Sequence, residues 1–126
     1  MTTSGLAILF AVLTAIVMIF QGCLAAGLPW GAASMGGKFP GKYPPKMRVV
    51  AVINIFILGL IALVVLSRAG LLFPELLSFS RVAIWFVVGF WAVGTVLNTI
   101  TPSKIERIWA PLALVQLIIS ITIAVS

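Results

Sequence analysis

Residues 49–67 read VVAVINIFILGLIALVVLS, with Asn54 the one strongly polar side chain before Ser67 and with Arg48 and Arg68 closing the two ends. At 1.5 Å of rise per residue this run makes a helix about 28 Å long. That nearly matches a bilayer hydrocarbon core of about 30 Å. Apolar residues follow one another without the alternation of period two that a membrane strand needs, so the segment reads as a helix and not as part of a barrel.

Working outward, three more runs of the same kind appear at Gly5–Ala26, Val82–Ile100 and Ile108–Val125. Every backbone N–H and C=O in lipid must be paired inside its own segment or in a closed barrel, so four helices are required. The connections Arg68–Arg81 and Thr101–Arg107 are short, which makes successive helices antiparallel neighbours. The expected architecture is all-α: one integral membrane domain over 1–126, an antiparallel four-transmembrane-helix bundle with spans at about 5–26, 49–67, 82–100 and 108–125. Thr2, Thr3 or Ser4 caps the first helix. Ser103 with Glu106 fits a capping box for the last, where Pro111 falls near the first turn. The first span lacks a preceding Lys or Arg and exceeds an ordinary signal-peptide core, so an uncleaved helix is expected there. Phe20-Gln21-Gly22-Cys23 is only distantly like a lipoprotein cleavage box.

Composition agrees with the bilayer as solvent. Of the 126 residues 63% are hydrophobic and 8% charged, against about 25% charged in soluble domains. Mean hydropathy is +1.30. The net charge of +6 sets eight Lys/Arg against Glu75 and Glu106. These basic residues flank apolar spans, where attraction to anionic headgroups is worth about 1 kcal/mol each. No basic groove or helix suggests nucleic acid.

The absences are equally informative. The sequence has no His and no Asp, and neither Glu lies inside a span. Proton coupling through a carboxylate at membrane depth, His-ligated metal or haem, and a Ser/His/Asp triad therefore have no residues to carry them. No cofactor is expected, and enzymatic activity by this chain alone has no side-chain set to support it. Cys23, the one cysteine, reads as a small apolar helix residue.

Between the first two spans lies Gly27–Met47, GLPWGAASMGGKFPGKYPPKM, with five of the eleven glycines and four of the seven prolines. A loop this long is usually functional or disordered. Lys38, Lys42, Lys46 and Arg48 share one side of the membrane with Lys104 and Arg107, against Arg68 and Arg81 on the other. The positive-inside rule puts the loops 27–47 and 101–107 in the cytoplasm and both termini outside. Trp30 is placed as an interfacial anchor, with Tyr43, Trp85 and Trp109 in the same aromatic belt. Trp91 lies deeper and needs a partner for its indole N–H. Gly36-Gly37-Lys38 and Gly41-Lys42 suit an anion without forming a Walker loop. The loop thus reads as a basic lipid-surface segment, a partner-docking site or a lid. Glu106, the sole acid on that side, is expected to pair with Arg48 or a loop lysine.

One carboxamide stands in each span: Gln21, Asn54, Asn98 and Gln116. Counted from the loop side, they lie about 9, 9, 6 and 13 Å deep. Facing inward they form one polar layer, which serves as interhelical glue, the lining of a hydrated cavity, or a contact for a partner helix. Gly59, Gly89 and Gly94 allow close helix approach without forming a small-xxx-small pair.

Pro29-Trp30-Gly31, Gly36-Gly37, Pro45 and Arg48, then Ser67-Arg68-Ala69-Gly70, then Glu106-Arg107 with Trp109 and Pro111 resemble a group of small bacterial integral membrane proteins of unknown function. The resemblance spans the chain and implies a four-helix protein of the bacterial inner membrane, with no activity to carry over. Small multidrug exporters, which need a glutamate in the first span, are not matched. Fluoride channels share only length and helix count.

Two functions follow from the residues. The first is a non-enzymatic accessory or scaffold protein that binds a membrane partner or anionic lipid headgroups through its basic cytoplasmic loop. The second is a small homo-oligomeric channel or facilitator for a neutral or anionic solute, lined by the helix amides.

Overall fold

A computed structural model describes residues 2–126. Four helices carry the chain: α1 (Thr3–Ala26), α2 (Pro45–Arg68), α3 (Leu77–Ile100) and α4 (Trp109–Ala124). Short 3₁₀ turns stand at Gly31–Ala33, Met35–Gly37, Pro74–Leu76 and Glu106–Ile108, and no strand occurs among the described residues. All four helical segments are long and apolar enough to cross a membrane.

The termini of the helices follow from local chemistry. Thr2 caps α1, its Oγ1 accepting from Gly5 N at 3.0 Å. The helix stops at Gly27, whose left-handed backbone (φ 95°) directs its N–H back to the carbonyls of Cys23 and Leu24. α2 starts earlier than the apolar run suggests. Pro45 opens it, since proline's fixed φ suits the first helical position and its missing N–H would be unpaired there anyway. Lys46, Met47 and Arg48 accordingly stand on the first turn of α2 and not in the loop, which shortens to 27–44. α3 likewise begins at Leu77, five residues ahead of Val82.

α1 packs mainly on α2 and α3 on α4, with α2 and α3 in looser contact. Along the first pair Arg48 reaches Ala25, Ile55 lies against Gly22, and Met18 lies against Gly59. The shared core includes Ala7, Phe10, Leu58, Ile61, Ile84, Trp91 and Ile119. Phe10 and Trp91 meet edge to face, with ring centroids 6.2 Å apart. Large apolar side chains such as Phe56, Phe86 and Ile100 point outward, 71%, 78% and 68% exposed, which suits lipid rather than water as their surroundings.

At the far end of the bundle Arg68 donates through Nη2 to the carbonyl of Ser126 at 2.5 Å. Ser67 Oγ and Arg68 Nε are buried there without a partner.

Candidate functional site

The segment 27–44 is folded onto the turn before α4. Gly31 N donates to Gly41 O at 2.8 Å, closing the loop on itself. Tyr43 and Ser34 hydrogen-bond through their hydroxyls. Tyr43 is 3% exposed and meets Phe39 edge to face. With Leu24 and Ala51 it forms a small second core, so it is a buried residue and not part of an interfacial belt.

Three hydrogen bonds tie this loop to residues 103–109. Ser103 Oγ donates to Ala32 O at 2.5 Å. Trp109 Nε1 donates to Ala33 O at 3.0 Å. Gly36 N donates to Glu106 Oε2 at 3.2 Å. Glu106, 8% exposed, therefore holds the loop through a backbone amide, where an ion pair with Arg48 or a lysine was expected. Arg48 instead donates from Nε to Ala25 O at 2.7 Å, covering a carbonyl left open at the end of α1. The capping box is half made. Glu106 N approaches Ser103 Oγ at 3.4 Å, while the Glu106 carboxylate reaches the loop and Ser103 N turns to Thr101 Oγ1.

Beneath the loop lies a partly open cavity of about 760 Å³, inside the range of small-molecule sites, roughly 300–1,000 Å³. Gln21, Asn54 and Asn98 all line it, from three different helices, together with Lys38, Phe39, Trp91, Thr101, Glu106 and Trp109. Apart from Ser34, its remaining wall is apolar. Asn98 Nδ2 donates to Gly94 O within its own helix at 2.7 Å. Gln21 and Asn54 take no part in the hydrogen bonds found among the described residues, and none of their atoms is both buried and unpartnered. Both residues are half-buried and line the cavity without a hydrogen-bond partner among the described residues.

Gln116 stands apart from the other three amides. It is fully buried, donating to Thr14 Oγ1 at 2.7 Å and to Phe10 O at 3.4 Å, between α4 and α1. Its Oε1 is buried without a partner. The physical reason is facing: the position on α4 turns this side chain into the α1 interface, below the cavity. Trp91, 5% exposed, borders the cavity, yet its Nε1 is a buried donor without a partner.

The basic residues divide in two. Lys38, Lys42, Lys46, Lys104 and Arg107 are exposed and Arg48 is half-buried. Arg107 spends Nε and Nη2 on Thr101 O, at 3.1 and 3.0 Å, whereas the four lysines are exposed and make no hydrogen bond among the described residues. Trp30, 48% exposed, lines a separate apolar groove with Ile16, Ile19, Cys23, Ile105 and Ile108. Phe20, Ala33 and Trp109 are common to groove and cavity. The Phe20 and Trp109 rings lie 4.8 Å apart between the two.

No group of three or more His, Cys, Asp or Glu able to hold a metal occurs among the described residues. Sequence reasoning picks out the amides and the basic residues. It gives no sign of Ser34, and it reads Tyr43 as a belt residue and Ser103 as a helix cap, without the Ser34–Tyr43 and Ser103–Ala32 bonds that fold the loop. Compared with family models, curated proteins and solved structures, the chain has no match.

Proposed function

We propose that this chain is a non-enzymatic binding protein of the bacterial inner membrane that holds a small amphipathic ligand in the cavity beneath its loop. The observation that carries this reading is the convergence of Gln21, Asn54 and Asn98 on one partly open cavity whose other walls are mostly apolar, with Ser34, Lys38, Thr101 and Glu106 toward the loop. A carboxamide at membrane depth without a partner costs about 1–3 kcal/mol. Two such groups kept free beside a common space are what a site needs that orients a polar head and shelters an apolar body.

In this reading the bundle is antiparallel, the six-to-two division of basic residues puts the loop end in the cytoplasm, and both termini are outside. Purification in mild detergent followed by native mass spectrometry tests the binding. The wild-type protein should carry a bound mass that Asn54→Leu and Gln21→Leu lose while keeping their thermal stability. An identical adduct on all three proteins would end the proposal. A reporter active only in the cytoplasm and fused after Ser126 should be silent.

A second reading is favoured by the exposed Lys42, Lys46 and Lys104 around the loop: docking of anionic headgroups or of an acidic membrane partner on this collar. It is distinguished by salt, since collar binding weakens steeply with ionic strength and cavity binding does not. A through-path for solutes has less support within one chain. Phe10 and Gln116, which lie outside the cavity lining, are fully buried between the helices.

A further inference from the structure

We infer that the occupant of the cavity is a membrane lipid, reaching it sideways from the bilayer through the cleft between α2 and α3, with a head of no net charge that both donates and accepts hydrogen bonds. The inference rests on the reading of the cavity as a ligand site and adds where the ligand comes from and what its head carries.

The direction of access follows from which lining residues are exposed. On α2 and α3 the cavity is bordered by Ile57, Phe90, Leu97 and Ile100, which are 40%, 43%, 57% and 68% exposed. The lining residues that α1 and α4 contribute are all buried or half-buried. Among the helices, then, the exposed lining lies on α2 and α3, which pack on each other less closely than α1 on α2 or α3 on α4, and these four exposed residues are all apolar. A rim of that kind in a membrane-spanning helix pair faces acyl chains, and a water-soluble ligand would have to cross them. The end nearer headgroup level is covered by the loop, pinned at Ala32, Ala33 and Gly36, with Met35, Lys38 and Pro102 exposed along its edge.

The head chemistry follows from the polar wall. Each of the three carboxamides offers both a donor and an acceptor. Glu106 contributes one carboxylate, of which Oε2 is engaged by Gly36 N, and Lys38 contributes one exposed ammonium. Wall charges of opposite sign suit a neutral polyol head or a zwitterionic amine–phosphate head. An excess negative charge beside Glu106 is disfavoured by repulsion and desolvation. A second copy of this chain is a poorer occupant of the cleft. Its helix faces are apolar and would leave Gln21 and Asn54 without partners, whereas a polar head satisfies them.

The test uses the full chain in phosphatidylcholine vesicles, with Trp30→Phe and Trp85→Phe so that Trp91 and Trp109, both at the cavity, report. Single-chain probes with a dibrominated acyl chain are titrated in: a monoacylglycerol, a lysophosphatidylethanolamine and a lysophosphatidylglycerol. Quenching by lipid merely surrounding the protein rises linearly with mole fraction, while an occupied site saturates. The neutral probe, the zwitterionic probe or both should saturate, and which of them does so identifies the head. The anionic probe should give only the linear part. Leu97→Trp, with a Phe background at Trp85 and Trp30 retained, narrows the cleft on the lipid-facing side and should slow the approach to saturation about tenfold. Asn54→Leu should weaken saturation by about tenfold.

Failure separates cleanly. If the probes bind the detergent-solubilised protein but Leu97→Trp changes no rate in vesicles, lateral access is wrong and the cavity reading stands. If no probe saturates in either setting, the cavity reading falls with it. Saturation by the anionic probe at the same mole fraction as the others overturns the head assignment. A dimer that Leu97→Trp dissociates would show the cleft to be a protein interface and overturn the lipid as occupant.

Discussion

The Glu106 carboxylate accepts from the backbone N–H of Gly36 at 3.2 Å, joining residues seventy positions apart in sequence. Its consequence is that the scarcest charge at this end of the molecule is used to fix a main-chain position. A lysine or arginine partner would leave the loop backbone free to move with a long side chain. An amide partner fixes the 3₁₀ turn Met35–Gly37 directly over the cavity. With Ser103 on Ala32 and Trp109 on Ala33, three successive parts of the loop are held by one turn.

This bond sets an expectation opposite to that of an ion pair. Glu106→Gln retains an acceptor oxygen for Gly36 N, so it should cost about 1 kcal/mol or less, the difference between a charged and a neutral hydrogen bond. Glu106→Ala leaves Gly36 N without its partner and should cost about 2 kcal/mol. Hydrogen exchange or limited proteolysis over residues 31–44 reads the difference. Loop protection lost equally in both variants would show that charge, and not the acceptor, holds the loop.

Gly31 is the loop's tightest point. A Cβ built there would stand 1.8 Å from Phe39 O and 2.7 Å from Gly41 O, both backbone atoms. Gly31→Ala must therefore break the Gly31 N to Gly41 O bond and should cost about 3 kcal/mol or more. Gly36 offers the contrast: φ is +65° but nothing lies within 4 Å of a new Cβ. Gly36→Ala bears only the left-handed backbone penalty, about 1–2 kcal/mol. Thermal unfolding in detergent should rank the two variants in that order.

These two residues also show what was legible in the chain and what was not. The helices were, because a bilayer imposes one rule, continuous apolar length, and residues 49–67 obey it without interruption. Helix starts were less so. Pro44-Pro45 falls within the segment Gly27–Met47 read as loop, yet Pro45 opens α2, since proline suits both a loop and the first turn of a helix. The loop's fold was hidden for another reason. Gly31, Ser34, Tyr43 and Ser103 are held by partners whose choice depends on tertiary approach, and nothing in their spacing shows it. For the amides, depth along a helix is countable at 1.5 Å per residue, but facing is not. Gln116 thus joins Thr14 in the α1–α4 interface while Gln21, Asn54 and Asn98 meet in the cavity.

The Gln116–Thr14 contact should behave asymmetrically. Thr14→Val removes the 2.7 Å acceptor and leaves Gln116 Nε2 only the longer bond to Phe10 O. A loss of about 1–2 kcal/mol is expected. Gln116→Leu removes that donor together with Oε1, which is buried and unpartnered, and fills the space with an apolar side chain of similar reach. It should be neutral or stabilising. A double-mutant cycle in detergent checks this, and a larger loss for Gln116→Leu than for Thr14→Val would show an acceptor role for which this structure has no partner.

Asn54 and Gln21 set stability against binding. Were they interhelical glue, replacing either would cost about 0.6 kcal/mol on average and up to about 1.7. Here neither carboxamide has a protein partner among the described residues, and both line the cavity. Asn54→Leu and Gln21→Leu should therefore leave thermal stability unchanged or raise it, because an apolar side chain replaces a polar one at membrane depth without breaking a bond. Ligand retention should fall about tenfold in each, the loss of one hydrogen bond worth about 1.4 kcal/mol. Stability and retention are measured on the same preparations, so a misfolded variant cannot pass for a binding defect. If stability drops while retention holds, the amides are structural and the cavity is not their reason for being there.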